Sequence, residues 1–480
     1  MPSYKLIYYP ITALAEPIRF LFNYAGIEFE DERFDRKDWP KLKPTMPFGK
    51  VPVLIVDGKK IDQSVAIGRY LAKQCGLAGK NDWESLEIDS TIDTIHDLRL
   101  NIAGFHYESN EQAKETKRKI AKETTVPYYL ERLDAQVKKN GGYFVGGALS
   151  WADFTFVALL EYLNFMMNED IVEKYKNLKQ LQKKVEEVPA IKKWIAKRPA
   201  TILPVAILLL SITIIQPKVA QIMSVQRHTL FTDPSPPSNC LRSYVPTKRS
   251  VVLDSRTAPH RLSEPRFLRQ INSIDCKNMP TYKLTYFNVT GLGESLRFLL
   301  NHCGIKFEDV RINFDDWPKY KPNMPMGQMP VLEIDGKQYN QSRAIGRFLA
   351  KKADLYGSDD FEAMEIDATV DSIDDIRQAL SSYYWEQDSA FKEKLKKTAF
   401  EKLPFYLDKF EAQVKKNGGY FVGGKLSWPD FLWAGYCDYL GFVLAGDPNK
   451  DHPELKKLVE KVRALPKVKA YIEKRPKTQL

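Results

Sequence analysis

The chain of 480 residues carries almost the same sequence twice. "MPSYKL" at Met1 returns as "MPTYKL" at Met279. "DWPKLKPTMPFGKVPVL" at Asp38 returns as "DWPKYKPNMPMGQMPVL" at Asp316, and "AQVKKNGGYFVGG" stands unchanged at Ala135 and at Ala412. The offset is 278 residues early in the repeat and 277 late, so one residue is lost between about Ser109 and Pro127. Solenoid units run to roughly 20–50 residues, far below this period. A whole folding unit has been copied, and each copy must bury a core of its own.

Within each copy the pattern changes partway along. The first part reads strand, helix, strand, then strand, strand, helix. Lys5–Tyr9 has the composition of a short strand and Glu16–Tyr24 that of an amphipathic helix. Val53–Val56 and Lys59–Ile61 flank Asp57-Gly58, a strong hairpin signal. Gln63–Lys73 closes this part, with Ile67, Tyr70 and Leu71 at helical spacing. The second part has long helical patterns and few strand signals. The expected fold class is therefore an α/β domain followed by an all-α domain, in duplicate. The expected boundaries are 1–79 and 81–203, then 280–357 and 359–480.

The first copy ends "KRPATIL" (Lys197–Leu203) and the second "KRPKTQL" (Lys474–Leu480), so residues 204–278 belong to neither. That insert holds more than half of the net charge of +11, which leaves two mildly basic copies and excludes a nucleic-acid protein. The uncharged run Pro199–Pro217 just reaches the roughly 17–25 residues of a membrane span, but Pro204 interrupts it, and a span is disfavoured. The insert reads as a poorly ordered linker or as a gene-fusion artefact, and the Met-Pro start of the second copy favours the latter. The five cysteines show neither a CxxC pair nor regular spacing, which argues against a disulfide framework and a zinc site. No signal-peptide pattern opens the chain, and a reducing cytoplasmic setting is the expectation.

Two features carry chemistry. Pro52 and Pro330 precede strands, where a proline donates nothing to the ladder and a cis bond presents its neighbours' backbone to a ligand. Gln63-Ser64 and Gln341-Ser342 open the last helix of each α/β part. A serine there caps free N–H groups, or with those groups it holds a carboxylate.

Together, "YKLxYY/F", "DWPxxKP", "PxGxxPVL" and "DG…QSxAIGRxLAK" resemble the N-terminal domain of glutathione transferases, nearest to the sigma class with its nematode and prostaglandin D synthase relatives. "GGALSWADF" (Gly146–Phe154) and "GGKLSWPDF" (Gly423–Phe431) resemble the family's helical domain, in which Ser150 with Asp153, and Ser427 with Asp430, form a capping box. The resemblance spans both copies and not the insert. It implies a thioredoxin-like domain joined to a helical one, with glutathione as co-substrate and no metal. It implies that Tyr8 and Tyr286 activate the glutathione sulfur. It assigns glutathione contacts to Tyr8, Trp39, Lys43, Gly49, Lys50, Val51, Gln63 and Ser64, and to Tyr286, Trp317, Lys321, Gly327, Gln328, Met329, Gln341 and Ser342. Backbone at Val51 and Met329 pairs with the peptide-like cysteine, Gln63 and Ser64 hold the γ-glutamyl end, and Trp39 and Lys43 suit the glycyl end. Lys50 becomes Gln328 in the second copy, one charge fewer.

The resemblance also implies an acid reaching across a dimer interface, Asp97 or Asp375, with pairing either between chains or between the two copies. Relatives use three acids here for a divalent cation. The second copy has Asp371, Asp374 and Asp375, but the first has His96 between Asp93 and Asp97, and no metal is expected. Many sigma enzymes place an arginine soon after the tyrosine, where Leu14 and Leu292 stand here. A thiol with pKa ~8.5 needs about 2.7 kcal/mol to ionise fully at neutral pH. A hydrogen bond to a charged acceptor supplies roughly 1.5–3 kcal/mol, so the tyrosine suffices with little margin. The expected reaction is conjugation of glutathione to small hydrophobic electrophiles, with prostaglandin isomerase or peroxidase side activity. The acceptor pocket should lie around Phe105–Tyr107 and Tyr383–Trp385. The alternative is a non-catalytic binding protein or a crystallin-like structural one.

Overall fold

A computed structural model describes residues 2–201 and 280–478. The insert, Cys240, Cys276 and the apolar run beyond Thr201 lie outside the described residues. Among the described residues no helix is long and apolar enough to cross a membrane.

The first copy opens on strand β1 (Tyr4–Tyr8), whose Leu6, Ile7 and Tyr8 are buried. Helix α1 (Glu16–Ala25) returns the chain to β2 (Glu30–Arg33), which lies parallel to β1, and the hairpin β3 (Val53–Val56) and β4 (Lys59–Asp62) completes a sheet of order β2-β1-β3-β4. Leu6 pairs with Asp31 on one side and Leu54 on the other, so β1 is an interior strand and Tyr8 stands at its end. The hairpin turns at Asp57 (φ 47°) and Gly58 (φ 83°), the left-handed pair of a type I′ turn. Asp57 Oδ1 accepts the Ser3 N–H at 2.8 Å, which ties the turn to the start of β1. Helix α2 (Ser64–Gln74) then lies on the sheet with Ile67, Tyr70 and Leu71 buried.

The helical part is built on α3 (Asp82–His106), α4 (Val126–Lys139) and α5 (Trp151–Met167). Helix α5 is buried on almost every face and forms the core of this part. Its start is the expected capping box. The Ser150 N–H and hydroxyl donate to Asp153 Oδ2 at 2.7 and 2.8 Å, and the Phe144 N–H donates to Oδ1 at 2.9 Å. Burial still pushes the Asp153 carboxyl up to about 6. Trp151 also locks the two parts together. A Cβ on Gly68 of α2 would come within 2.9 Å of its ring, so only glycine lets the helix approach this closely. A second clasp joins Glu16 of α1 to Trp194 Nε1 at 2.8 Å and Arg198 Nη1 at 2.7 Å, so the chain's "KRP" segment closes back on the first helix.

The second copy repeats this plan. Strands β5 (Tyr282–Phe287), β6 (Glu308–Ile312), β7 (Val331–Ile334) and β8 (Lys337–Tyr339) have the order β6-β5-β7-β8. Helices α6 (Gly291–Cys303) and α7 (Ser342–Lys352) cover them, and α8 (Asp360–Trp385), α9 (Ser389–Lys416) and α10 (Trp428–Leu444) form the helical part. The one-residue offset has a local form. Where α9 runs unbroken for 28 residues, the first copy has a π-helical turn at Ala121–Thr125 ahead of α4. A π turn accommodates one extra residue within a helix.

The two halves pack on each other through α2 against α8 and α7 against α3. Phe48 inserts between Tyr406 and Phe410 of the other half, with ring centroids 5.4 and 5.6 Å away. Its counterpart in the second half is Met326. At the centre, Arg69 and Arg347 form a buried cross with Asp89 and Asp367. Beside it Arg343 donates to Asp93 at 3.1 Å and to Asp371 at 3.0 Å.

Candidate functional site

In each half the tyrosine stands near the end of the first strand and the glutamine–serine pair at the start of the helix that follows the hairpin, and in the first half Lys50, Val51, Gln63 and Ser64 line one cavity. Tyr8 and Tyr286 are buried there, 5% and 7% exposed. Burial pushes the Tyr8 hydroxyl up to about 12 and raises Tyr286 as well, so both remain protonated donors at neutral pH. The Leu292 N–H donates to the Tyr286 oxygen at 3.1 Å, and the Leu14 backbone acts on Tyr8 in the same sense. Leu14 and Leu292 thus contribute through their backbone. With its oxygen so engaged, each hydroxyl is left to donate its proton to an acceptor.

The Val51–Pro52 and Met329–Pro330 bonds are cis. Gln63 and Gln341, at φ 71° and 70°, are the residues that precede α2 and α7, and no side chain caps either helix. Capping by Ser64 and Ser342, the simpler expectation, is not what the structure shows. Ser64 and Ser342 are instead the first helical residues, and Ser64 lines a cavity with Gln63, Lys50, Val51 and Pro52. That cavity holds about 250 Å³ and runs from Leu14 to the other half, where Arg343, Asp371, Asp374, Asp375 and Gln378 close it.

Trp39 stacks on Phe34 at 5.7 Å and meets Tyr9 edge-on at 5.9 Å. In the second half Trp317 meets Phe287 edge-on at 5.4 Å. Lys43 and Lys321 are exposed. Gly49 (φ 60°) lies against the Lys43 side chain, and Gly327 (φ 57°) lies against Tyr128 of the other half.

Each glutamine reaches across to an acid of the other half. Gln63 Nε2 donates to Asp375 Oδ2 at 2.8 Å, and Lys50 Nζ donates to the same oxygen at 2.5 Å. Gln341 Nε2 donates to Asp97 Oδ2 at 2.8 Å, and Gln328 Nε2 reaches it at 3.3 Å. Each acid therefore meets the glutamine of the opposite half from its own half's long helix.

The regions around Phe105–Tyr107 and Tyr383–Trp385 differ. Near Tyr8, the Tyr107 and Tyr162 hydroxyls bond each other, with His106 and Phe165 alongside. Near Tyr286, Trp385 Nε1 donates to the Tyr439 oxygen at 3.1 Å, with Phe314 and Tyr384 against the Trp385 ring and Phe442 against Tyr384. Phe105 and Tyr383 are buried beneath.

Three sets of residues escaped sequence reasoning. Arg343 fills the centre of the acids Asp93, Asp371 and Asp374, and its aligned residue in the first copy is Val65. Arg99 lines the cavity beside Leu14, and its counterpart Arg377 acts on Tyr286. Asp62, beside Gln63, is buried, has an unpartnered Oδ2 and is pushed up to about 7 by burial and by the charge of Asp375. The repeat does mark two of these, because position 65 and position 62 read Val and Asp in one copy and Arg and Asn in the other. Among the described residues no group of three or more His, Cys, Asp or Glu is arranged to hold a metal ion.

Family models of the glutathione S-transferase N-terminal domain match residues 4–73 and 282–351, and models of its C-terminal domain match 96–198 and 374–475. The chain is 47% identical over 201 residues to a glutathione S-transferase of Anopheles gambiae, a match that covers 42% of this chain and 99% of that protein. It is 46% identical over 199 residues to glutathione S-transferase S1 of Drosophila melanogaster, covering 42% and 80%. It is 43% identical over 205 residues to the hematopoietic prostaglandin D synthase of Gallus gallus, covering 42% and 99%. Each relative thus matches a stretch the length of one half.

Proposed function

The chain belongs to the glutathione S-transferase family, and we propose from this premise that it carries two transferase sites, each joining glutathione to a small hydrophobic electrophile. Glutathione is the co-substrate, and the sulfur is the nucleophile. The observation that carries the reading is the state of the two tyrosines. Each is a buried, protonated hydroxyl whose oxygen is already engaged, at the end of the strand that borders the cis-proline segment. Such a hydroxyl donates to a thiolate and does not compete with it for the proton.

The other roles follow the same geometry. Val51 and Met329 offer backbone groups ahead of the prolines. Gln63-Ser64 and Gln341-Ser342 hold the γ-glutamyl end at a helix N-terminus, where a carboxylate gains from free N–H groups. Asp375 and Asp97 hold the glutamine of the opposite half and complete its seat, so each site needs both halves. The functional pair forms within one chain. Trp39 with Lys43, and Trp317 with Lys321, serve the glycyl end. We assign residues 1–79 and 280–357 to the N-terminal domains, and 81–203 and 359–480 to the helical ones.

Prostaglandin isomerisation, named in the Gallus gallus relative, is a side reaction of the same sites in this reading. A cytoplasmic location belongs to the proposal too, in keeping with the free thiols Cys75, Cys303 and Cys437, and subcellular fractionation tests it. The deciding experiment is conjugation of glutathione to a general aromatic halide by the purified full chain. Turnover supports the transferase reading. Glutathione binding without turnover would leave the ligand-binding alternative, and neither binding nor turnover would overturn both.

A further inference from the structure

The two sites meet different charges at the sulfur end. In the first, Arg99 lines the cavity beside Leu14, Val51 and Gln63, and its charge acts on Tyr8. Its Nε donates to His96 Nδ1 at 3.3 Å, and it forms no ion pair among the described residues. The groups that act on Arg99 directly are His96, Tyr8, Tyr107, Tyr162 and Asp375, and the far wall of the same cavity adds Arg343, Asp371 and Asp374, of which Asp371 is paired with Arg343 and Asp374 with Arg377. Asp375 is already bonded to Lys50 and Gln63. Burial holds His96 well below its usual range, and Arg99, Arg343 and Arg69 push the same way, so it is neutral at pH 7.

In the second site the aligned cation is Arg377, which acts on Tyr286. Here position 374 is an aspartate instead of a histidine, and the Arg377 Nε donates to Asp374 Oδ1 at 2.6 Å. The groups that face Arg377 are Asp374, Tyr436 and Tyr286. Arg343 reaches Asp374 only at 3.8 Å and is held by Asp93 and Asp371. Across the interface the contrast runs the same way. Lys50 offsets Asp375 in the first site, whereas the uncharged Gln328 meets Asp97 in the second.

We propose that the two sites activate sulfur unequally: Arg99 gives the first a positive charge that Asp374 cancels in the second, so the first holds glutathione as thiolate at lower pH. The proposal rests on the reading of both halves as glutathione transferase sites. Arg99 and Arg377 are positioning charges here, and the proton released on binding goes to solvent. A cation near an acid lowers its pKa by about 1–3 units when unopposed, which sets the size of the difference.

The test uses the full chain with one tyrosine replaced at a time. Tyr286→Phe leaves the first site to report, and Tyr8→Phe leaves the second. The thiolate ultraviolet band of bound glutathione is followed against pH, with calorimetric binding as a check on each fold. The midpoint of the first site should lie about one pH unit below that of the second. In the Tyr286→Phe background His96→Asp should raise the midpoint, while His96→Asn should leave it in place. In the Tyr8→Phe background Asp374→Asn should lower it, and this near-isosteric change keeps the test available if His96→Asp fails to fold. Equal midpoints, or swaps that bind glutathione and shift nothing, would overturn the proposal. If glutathione binds to neither single variant, the underlying reading of the sites falls instead.

Discussion

Arg69 and Arg347, 278 positions apart in the sequence, share the same two carboxylates at the centre of the molecule. Arg69 meets Asp89 at 2.8 Å and Asp367 at 3.0 Å, and Arg347 meets Asp367 at 2.7 Å and Asp89 at 3.2 Å. Burial opposes the charge on all four, yet the arginines hold Asp89 below its usual range and Asp367 at about 2. A buried cluster of this kind contributes modest net stability but penalises any pairing that breaks it. It fixes the register in which the two halves meet, and with it the reach of Asp97 and Asp375 into the opposite seats.

The tyrosines give the first prediction. Tyr8→Phe removes a hydrogen bond to a charged acceptor, about 1.5–3 kcal/mol, or roughly 10- to 150-fold in turnover at that site. Because the second site remains, the single variant should keep the activity of Tyr286, and only Tyr8→Phe with Tyr286→Phe should abolish most of the rate. Steady-state conjugation of an aromatic halide reads this. A double variant with undiminished turnover removes the role from both residues.

Asp62 gives the second. Its aligned residue is Asn340, and its own carboxyl is pushed up to about 7. A folded-state pKa above the unfolded value of ~3.9 means that the folded state binds the extra proton. The stability from this site is present below about pH 4 and is lost as pH rises toward 7. Asp62→Asn should therefore raise the unfolding free energy measured in urea at pH 8, by up to about 4 kcal/mol, and leave it nearly unchanged at pH 4. A midpoint shift independent of pH contradicts the assignment.

Arg343 gives the third. Arg343→Val copies the first half's Val65 and strands Asp93 and Asp371, both already raised by burial. Removing one partner of a buried ion pair costs about 3–5 kcal/mol. With both carboxyls raised further, the loss should be largest at high pH and smaller near pH 5, where they take up protons. Equilibrium unfolding at the two pH values measures this, and an equal loss at both argues against Arg343 as their counter-charge.

Gly68 gives the fourth. A methyl group here meets the Trp151 ring at 2.9 Å, and its counterpart at Gly346 meets Trp428 at 2.8 Å. Gly68→Ala gains helix propensity but overpacks a closed contact, a cost of about 1–3 kcal/mol. Thermal unfolding should show a net loss, and a more stable variant shows that the ring has room to move.

Much of the fold was legible because its signals are local. Asp57-Gly58 marks a hairpin wherever it stands between apolar runs, and Ser150 with Asp153 satisfies helix donors three residues apart. The repeat also showed where one residue was gained or lost, though not that the extra residue becomes a π-helical turn at Ala121–Thr125. The electrostatics of the site were not legible, because they depend on which helices face each other. Arg343 meets Asp93 across 250 positions, and nothing in "QSRAIGR" points there. His96 and Asp374 differ by one side chain on similar helices, and the difference acquires meaning only when Arg99 and Arg377 are seen beside them. Ser64 looked like a cap because serine commonly is one, but the positive φ of Gln63 places it inside the helix instead.

The single bridge of Arg343 has a consequence for how such a molecule changes over generations. In a twofold homodimer every interface residue appears twice, and each contact must be self-complementary. Two copies of Arg343 would face each other's surroundings, and two copies of Val65 would leave Asp93 without a cation. A chain that carries both halves escapes this constraint, since one half always meets the other and never itself. Phe48 where the second half has Met326, and Arg343 where the first half has Val65, are differences that two unlike halves are free to accumulate and a twofold homodimer is not.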